Sequence, residues 1–379
     1  MTQNKIYLSY PEFTQDDLKA VNEVITKLGV GNQDKNSPIE SFEKELAKFH
    51  NVSHAVTLSS GTAAIHLALL ALSIQEGDRV IVPTLTFAAT AFPLSYIGAI
   101  PIFIDVCKET WTLDLELLEQ YLKKCKKSEL PKAIIAVDLF GRICDYDELS
   151  RISVEFDIPV LIDAAESLGS KYKNTPTASR GFISILSFNF NKIMTTTGGG
   201  ALLTNDESIA NMVRKKGNQA RDNFHWYEHS EIGYNYRMSP ILAALGISQL
   251  ARIETFVDKR RSIRDTYCRL FSEIPGLEVS TDSKFERSNA WLTTLKIDDK
   301  IFSNGRDTVR NGLEKENIES RFIWKPLHLQ PIFASYEAIL TGISEEIFNT
   351  SLCLPSSHTL NESQLVRICD VVKRSLRGV

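Results

Sequence analysis

From about residue 54 to residue 204 the chain repeats one pattern: a short run rich in valine and isoleucine, without polar alternation, followed by a stretch of helical period. HAVTLSS leads into GTAAIHLALLAL and RVIVP into TFAATAFPLSYIG; IPIFIDV, KAIIAVDLFG, IPVLIDAAE, ISILSF and GALLTND continue the series. A strand that is apolar on both sides has both faces covered, the condition of a mainly parallel sheet between layers of helices. The pattern therefore predicts an α/β fold. Near residue 239 the rhythm changes. Ser239 is placed to cap a helix that Pro240 opens, and the apolar period runs on through ILAALGISQLARIETFVDKRRSIRDTYCRLF to Pro275-Gly276. One long helix starting near 240 is expected to join a large domain over 1–245, with an N-terminal helical segment, to a smaller C-terminal α+β domain over 246–379. The glycines, asparagines and proline of LGVGNQDKNSPIE (28 to 40) mark an exposed loop.

Composition removes several classes. With 379 residues, 43% hydrophobic and 24% charged, the chain can bury a large core and is neither disordered nor fibrous. The formal net charge is −4, and short basic clusters such as KKCKK (123 to 127) fit solvated helix faces better than a nucleic-acid surface. MTQNKIYLSY lacks the apolar core of a signal peptide, and the longest apolar stretch, AFPLSYIGAIPIFIDV, is broken by two prolines and an aspartate. A cytoplasmic protein without membrane spans is expected. Six cysteines stand far apart without CxxC spacing, so neither a metal site nor a disulfide framework is expected.

Three features fall at strand ends, where an open parallel sheet binds its ligands. In SSGTAAIHLAL a strand runs into Gly61 and a helix begins at once with Thr62 and Ala63, offering free N–H groups to an anion. Asp163 follows the apolar run IPVLI, and Lys192 follows ISILSFNFN, ahead of TTTGGG. Singly, each has a plain explanation: a capped helix that binds nothing, an aspartate that starts a turn, a solvated lysine. Together they supply a phosphate site, an acid to hold a pyridine nitrogen protonated and an amine to form a Schiff base, which are the parts of a pyridoxal phosphate enzyme. No GxGxxG follows an early strand, which argues against a nicotinamide dehydrogenase.

SSGTAAIHLAL, VIVPTLTFAATA, IPIFIDV, DLFG, LIDAAESLGS, SFNFNK, TTGGGALLTND, GYNYRMSPILAALGISQL, KPLHLQPIF and CLPSS occur in an order that resembles the DegT/DnrJ/EryC1/StrS family of pyridoxal phosphate sugar aminotransferases over nearly the whole length. The resemblance implies fold type I, with a mainly parallel mixed seven-stranded sheet in the large domain. It implies that Lys192 links the cofactor and then moves protons, that Asp163 pairs with the pyridine nitrogen and that Phe87 stacks on the ring. Ser187 with the backbone of Gly61, Thr62 and Ala63 corresponds to the phosphate cradle. Asn235 corresponds to a residue reaching the phosphate in the neighbouring subunit, which implies a homodimer with shared sites. Glu166 stands where the family usually has glutamine, near the phenolic oxygen of the cofactor.

The implied reaction takes an amino group from L-glutamate and gives it to a nucleotide-linked keto sugar, a step of surface polysaccharide or glycan biosynthesis. Related sugar dehydratases carry histidine at the lysine position, so Lys192 points to transamination. QARDNFHWYEHSEIGYNYRM (219 to 238) and ESRFIWKPLHLQPIF (319 to 333) look like the enzymes that aminate UDP-4-keto-6-deoxy-N-acetylglucosamine. On that resemblance Arg221 clamps a diphosphate and His328 lies beside the hexose. Other GDP- or dTDP-linked keto hexoses, and a regulatory protein that kept the cofactor but lost turnover, remain as alternatives. LGVGNQDKNSP departs from the short tryptophan-containing segment usual in the family near residue 30, so a differently shaped sugar pocket is expected.

Overall fold

A computed structural model describes residues 4–28, 37–178 and 183–377. The centre of the predicted 28 to 40 loop, residues 29–36, lies outside the described residues.

The repeated apolar runs become seven strands: β1 His54–Leu58, β2 Arg79–Pro83, β3 Ile100–Ile104, β4 Ala133–Val137, β5 Val160–Asp163, β6 Ile183–Ser187 and β7 Gly200–Thr204. They lie in the order β1-β7-β6-β5-β4-β2-β3, and the outer edge of β3 takes an eighth strand, Ala338–Ile339. Only β7 runs against its neighbours; the rest of the sheet is parallel. Successive residues go to opposite faces: Ile81, Ile102, Ile134 and Ile162 join one apolar cluster, while Val80, Val82, Phe103, Ile135 and Leu161 join another. Both faces are therefore core, as the unalternating runs predict. Each large aliphatic side chain buried in this way contributes about 1.5–3 kcal/mol.

The helix Gly61–Ala71 is buried from Gly61 through Leu69, apart from a partly exposed Thr62, so it has no polar face and packs inside the molecule. Farther along, the structure corrects the expectation of one long helix. Pro240–Leu250 and Ile253–Phe271 are separate helices meeting at 60°. Arg252 leaves the helical region at the break (φ −109°, ψ 5°), and its guanidinium lies 2.6 Å from the buried carboxylate of Asp17. That ion pair reaches back to the first helix, Gln15–Leu28, which packs on Pro240–Leu250. Among the described residues no single helix is long and apolar enough to cross a membrane.

A second, antiparallel sheet runs Leu277–Val279, Thr293–Ile297, Ser351–Leu354, Arg321–Phe322. Its core joins Tyr267, Leu295, Val309, Leu352 and Ile368. Between these strands the chain crosses back to β3. There Asp105, fully buried, accepts hydrogen bonds from the backbone N–H groups of Thr341, Gly342 and Ser344 and from the Thr341 hydroxyl.

Candidate active site

The register of the sheet brings the ends of β1 and β6 level, since Leu58 and Ser187 both pair with Gly200. Backbones meet closely there: a Cβ on Gly200 would lie 2.5 Å from the Gly61 nitrogen, and one on Gly61 would lie 3.1 Å from Ser187 Cβ. Ser60 caps the helix Gly61–Ala71 by accepting from the Ala63 N–H at 3.0 Å. The N–H groups of Gly61 and Thr62 find no acceptor among the described residues. Gly61, Thr62 and Ser187 thus line one end of a cavity of about 490 Å³, which has the size of a small-molecule site.

Asp163 ends β5 and lines that cavity. Thr90 Oγ1 donates to Asp163 Oδ2 at 2.7 Å, the Ala165 N–H donates to Oδ1 at 3.2 Å, and Thr86 Oγ1 supports Thr90 at 2.9 Å. Burial pushes the Asp163 carboxyl above its usual range, while these bonds and Lys192 oppose the shift. Lys192 follows β6 by a tight turn in which its N–H donates to the Asn189 carbonyl at 3.0 Å. Its Nζ lies 3.4 Å from Glu166 Oε1 and 4.2 Å from the centre of the Trp291 ring. The other Glu166 oxygen accepts from the Phe140 N–H at 2.7 Å. Burial raises the Glu166 carboxyl as well, against the pull of Lys192.

Phe87 stands at the mouth, more than half exposed, with its ring 5.3 Å from that of Trp324. Four of the residues predicted from sequence do not line this cavity: Ala63, whose N–H is taken by the Ser60 cap rather than left for a phosphate, and Asn235, Arg221 and His328. Asn235 is exposed and forms a bridge with Asn218, and Arg221 lies over the Tyr227 ring at 4.3 Å. His328 is held by Thr84 Oγ1 at 2.6 Å on Nδ1 and by Glu345 at 3.3 Å on Nε2.

Residues 11–373 match the model of the DegT/DnrJ/EryC1/StrS aminotransferase family. The chain belongs to that family. It is 40% identical to EpsN of Bacillus subtilis (strain 168) over 97% of this chain and 95% of EpsN. It is 34% identical to the GDP-perosamine synthase of Escherichia coli O157:H7 over 96% of each. Among solved structures, Helicobacter pylori PseC, an aminotransferase involved in pseudoaminic acid biosynthesis, superposes with a TM-score of 0.89 at 25% identity, covering 99% of this chain and all of PseC. The enzyme is thus a pyridoxal phosphate-dependent sugar aminotransferase of fold type I.

The family's cofactor fits the residues present. The glycine-lined cradle at Gly61 has unengaged N–H donors for a phosphate, the cavity holds an amine at Lys192, and a buried carboxylate at Asp163 matches a cationic ring nitrogen. Reading the sequence alone did not find Thr86, Thr90, Trp291, Arg321 and Trp324, all of which line the same cavity. Thr86 and Thr90 flank Phe87 four residues apart, a spacing that could have pointed to them. Arg321 and Trp324 lie in the segment 319–333, which the sequence singles out without distinguishing them, whereas Trp291 carries no local signal.

Proposed function

We propose that the enzyme moves an amino group from L-glutamate to the carbonyl carbon of a nucleotide-linked 4-keto-6-deoxy hexose, with Lys192 as the group that moves protons. The observation that carries this reading is the position of Lys192 Nζ, enclosed between Glu166 and Trp291 in the cavity that also holds Asp163 and a helix N-terminus. When bound, pyridoxal phosphate supplies the electron sink for loss of a carbon-bound proton and carries the amino group between the two half reactions. Lys192 Nζ takes the proton from the donor and returns one to the acceptor. The backbone of Gly61 and Thr62 with Ser187 would hold the phosphate, and Asp163, fixed by Thr90, would hold the ring nitrogen in its protonated form. Phe87 would stack on the cofactor ring, with the Trp324 ring beside it. The exposure of Asn235 and Arg221 away from this cavity supports assigning them to the partner's site in a homodimer.

For the acceptor, the likeness of segments 219–238 and 319–333 to enzymes acting on UDP-4-keto-6-deoxy-N-acetylglucosamine supports a UDP-linked sugar, and Arg321 and Trp324 from the second segment line the cavity. The name of the relative from Escherichia coli O157:H7 supports a GDP-linked sugar as the second reading. Absorbance of the purified protein with pyridoxal phosphate tests both. L-glutamate is expected to bleach the cofactor band, and the UDP-linked keto sugar to restore it faster than a GDP-linked one. Faster recovery with the GDP sugar selects the second reading, and a wild type that responds like Lys192→Ala removes the role given to Lys192.

A further inference from the structure

Lys192 Nζ has Glu166 on one side and Trp291 on the other, and both are tied to one buried residue, Asn289. Asn289 Nδ2 donates to the carbonyl of Glu166 at 3.0 Å and to that of Leu168 at 2.9 Å, while its Oδ1 accepts from the Trp291 N–H at 2.8 Å. Between them Ala290 takes a left-handed backbone (φ 49°), a conformation that a residue with a Cβ holds only when its surroundings enforce it. Trp291 also reaches the lysine's own turn: its Nε1–H donates at 2.8 Å to the carbonyl of Asn191, the residue before Lys192. Ser9, from the far N-terminus, donates its hydroxyl to the same carbonyl at 2.8 Å.

Behind both stands Arg260. It is fully buried, has no carboxylate partner among the described residues, and donates to the Trp291 carbonyl at 2.5 Å and to Ser9 Oγ at 3.1 Å. A guanidinium buried without an acid is costly to keep, so its two bonds are its evident purpose in the fold. We propose that Trp291, Ser9 and Arg260 form a clamp that positions Lys192: two donors on the Asn191 carbonyl fix the peptide that aims the lysine, and the indole face holds its ammonium beside Glu166. None of the three is a catalytic residue by this account; Trp291 and Ser9 act through Lys192, and Arg260 through them.

The proposal rests on Lys192 being the proton-moving residue, and its test keeps the two readings apart. Trp291→Phe retains a ring over the lysine and removes the Nε1–H; Trp291→Leu removes both; Ser9→Ala removes one donor at the edge of the network. Amide hydrogen exchange, read by mass spectrometry with and without pyridoxal phosphate, is expected to speed up in Trp291→Phe and Ser9→Ala within peptides covering 188–194, with the rest of the chain unchanged. In the holoenzyme kcat is expected to fall about tenfold in Trp291→Phe and further in Trp291→Leu, with KM for L-glutamate within about twofold of wild type. Should Trp291→Leu fail to fold, the Phe and Ala variants decide. Unchanged exchange over 188–194, exchange that rises across the whole chain, or faster local exchange with wild-type kcat each overturns the clamp alone. A wild type that takes up no cofactor, or turns over unchanged as Lys192→Ala, overturns the reading of Lys192 and the clamp with it.

Discussion

The two walls of the cavity are built in different ways. One consists of strand ends and the residues just beyond them: Gly61 after β1, Thr86 and Phe87 after β2, Asp163 on β5, Ser187 and Lys192 on and after β6. Its spacing is set by the sheet, whose strands lie at fixed separation and register. The other wall, with Trp291, Arg321 and Trp324, comes from the second sheet and the loops beside it, and its position depends on the packing of two cores. Groups that must meet reacting atoms within a fraction of an ångström belong on the first wall, while groups that recognise the variable part of a substrate can stand on the second.

Substitutions on the first wall should therefore lower kcat or cofactor retention, and those on the mouth side of the second should raise KM. The largest effect is expected for Lys192→Ala, with steady-state turnover down roughly a thousandfold or more while circular dichroism stays that of the wild type. Gly200→Ala comes next: the added Cβ falls on the backbone of Ser60 and Gly61, so denaturant titration should show a loss of about 1–3 kcal/mol, and the cofactor content after gel filtration should drop as well. Trp324→Ala, on the second wall, should raise KM for the sugar by roughly tenfold and leave kcat nearly unchanged, as expected for lost ring contact worth about 1–1.5 kcal/mol. If kcat falls more than KM rises, the division between the walls is wrong at this residue.

The most specific effect, spread over several pH units rather than felt at one, concerns Asp138, just behind the first wall. Its carboxylate is fully buried and accepts from Tyr146 at 2.5 Å, Ser167 at 2.6 Å and the Cys144 N–H at 3.3 Å. Burial, helped by the nearby charge of Glu286, pushes its carboxyl up to about 7. A group with a raised value in the folded state gives stability that is full below its unfolded value and lost as pH rises through the folded one. Unfolding free energy should thus fall between about pH 4 and pH 7 with a slope on the order of 1 kcal/mol per pH unit from this residue. Asp138→Asn should flatten that part of the profile; an unchanged slope would assign it to other groups.

The contrast between the walls also explains what could be read from the sequence. Asp163 and Lys192 lie at or just past the ends of apolar runs, so period and position along the chain place them at the carboxyl edge of a sheet, whereas Ser187 comes with the family resemblance. Trp291 sits in SNAW, where nothing local distinguishes an active-site ring from a core ring; its bond to Asn191, which is distant in sequence, makes the difference. The break at Arg252 was hidden for the same reason. Ala251 and Arg252 are good helix formers within an unbroken apolar period, and the partner that turns the chain, Asp17, lies at the other end of the sequence. Asn235, Arg221 and His328 were named from resemblance rather than from local pattern, and in the single chain they stand apart from the cavity.

The eighth strand has a consequence in time. The edge of β3 is complete once residue 104 has been made, yet its partner is Ala338–Ile339. At about 5–20 residues per second, synthesis of the intervening chain leaves that edge uncovered for roughly 10 to 50 s. An open parallel edge is a template for pairing with another chain. A nascent copy released before residue 339 would keep a sticky margin for good, so aggregation should be commonest among C-terminally truncated products.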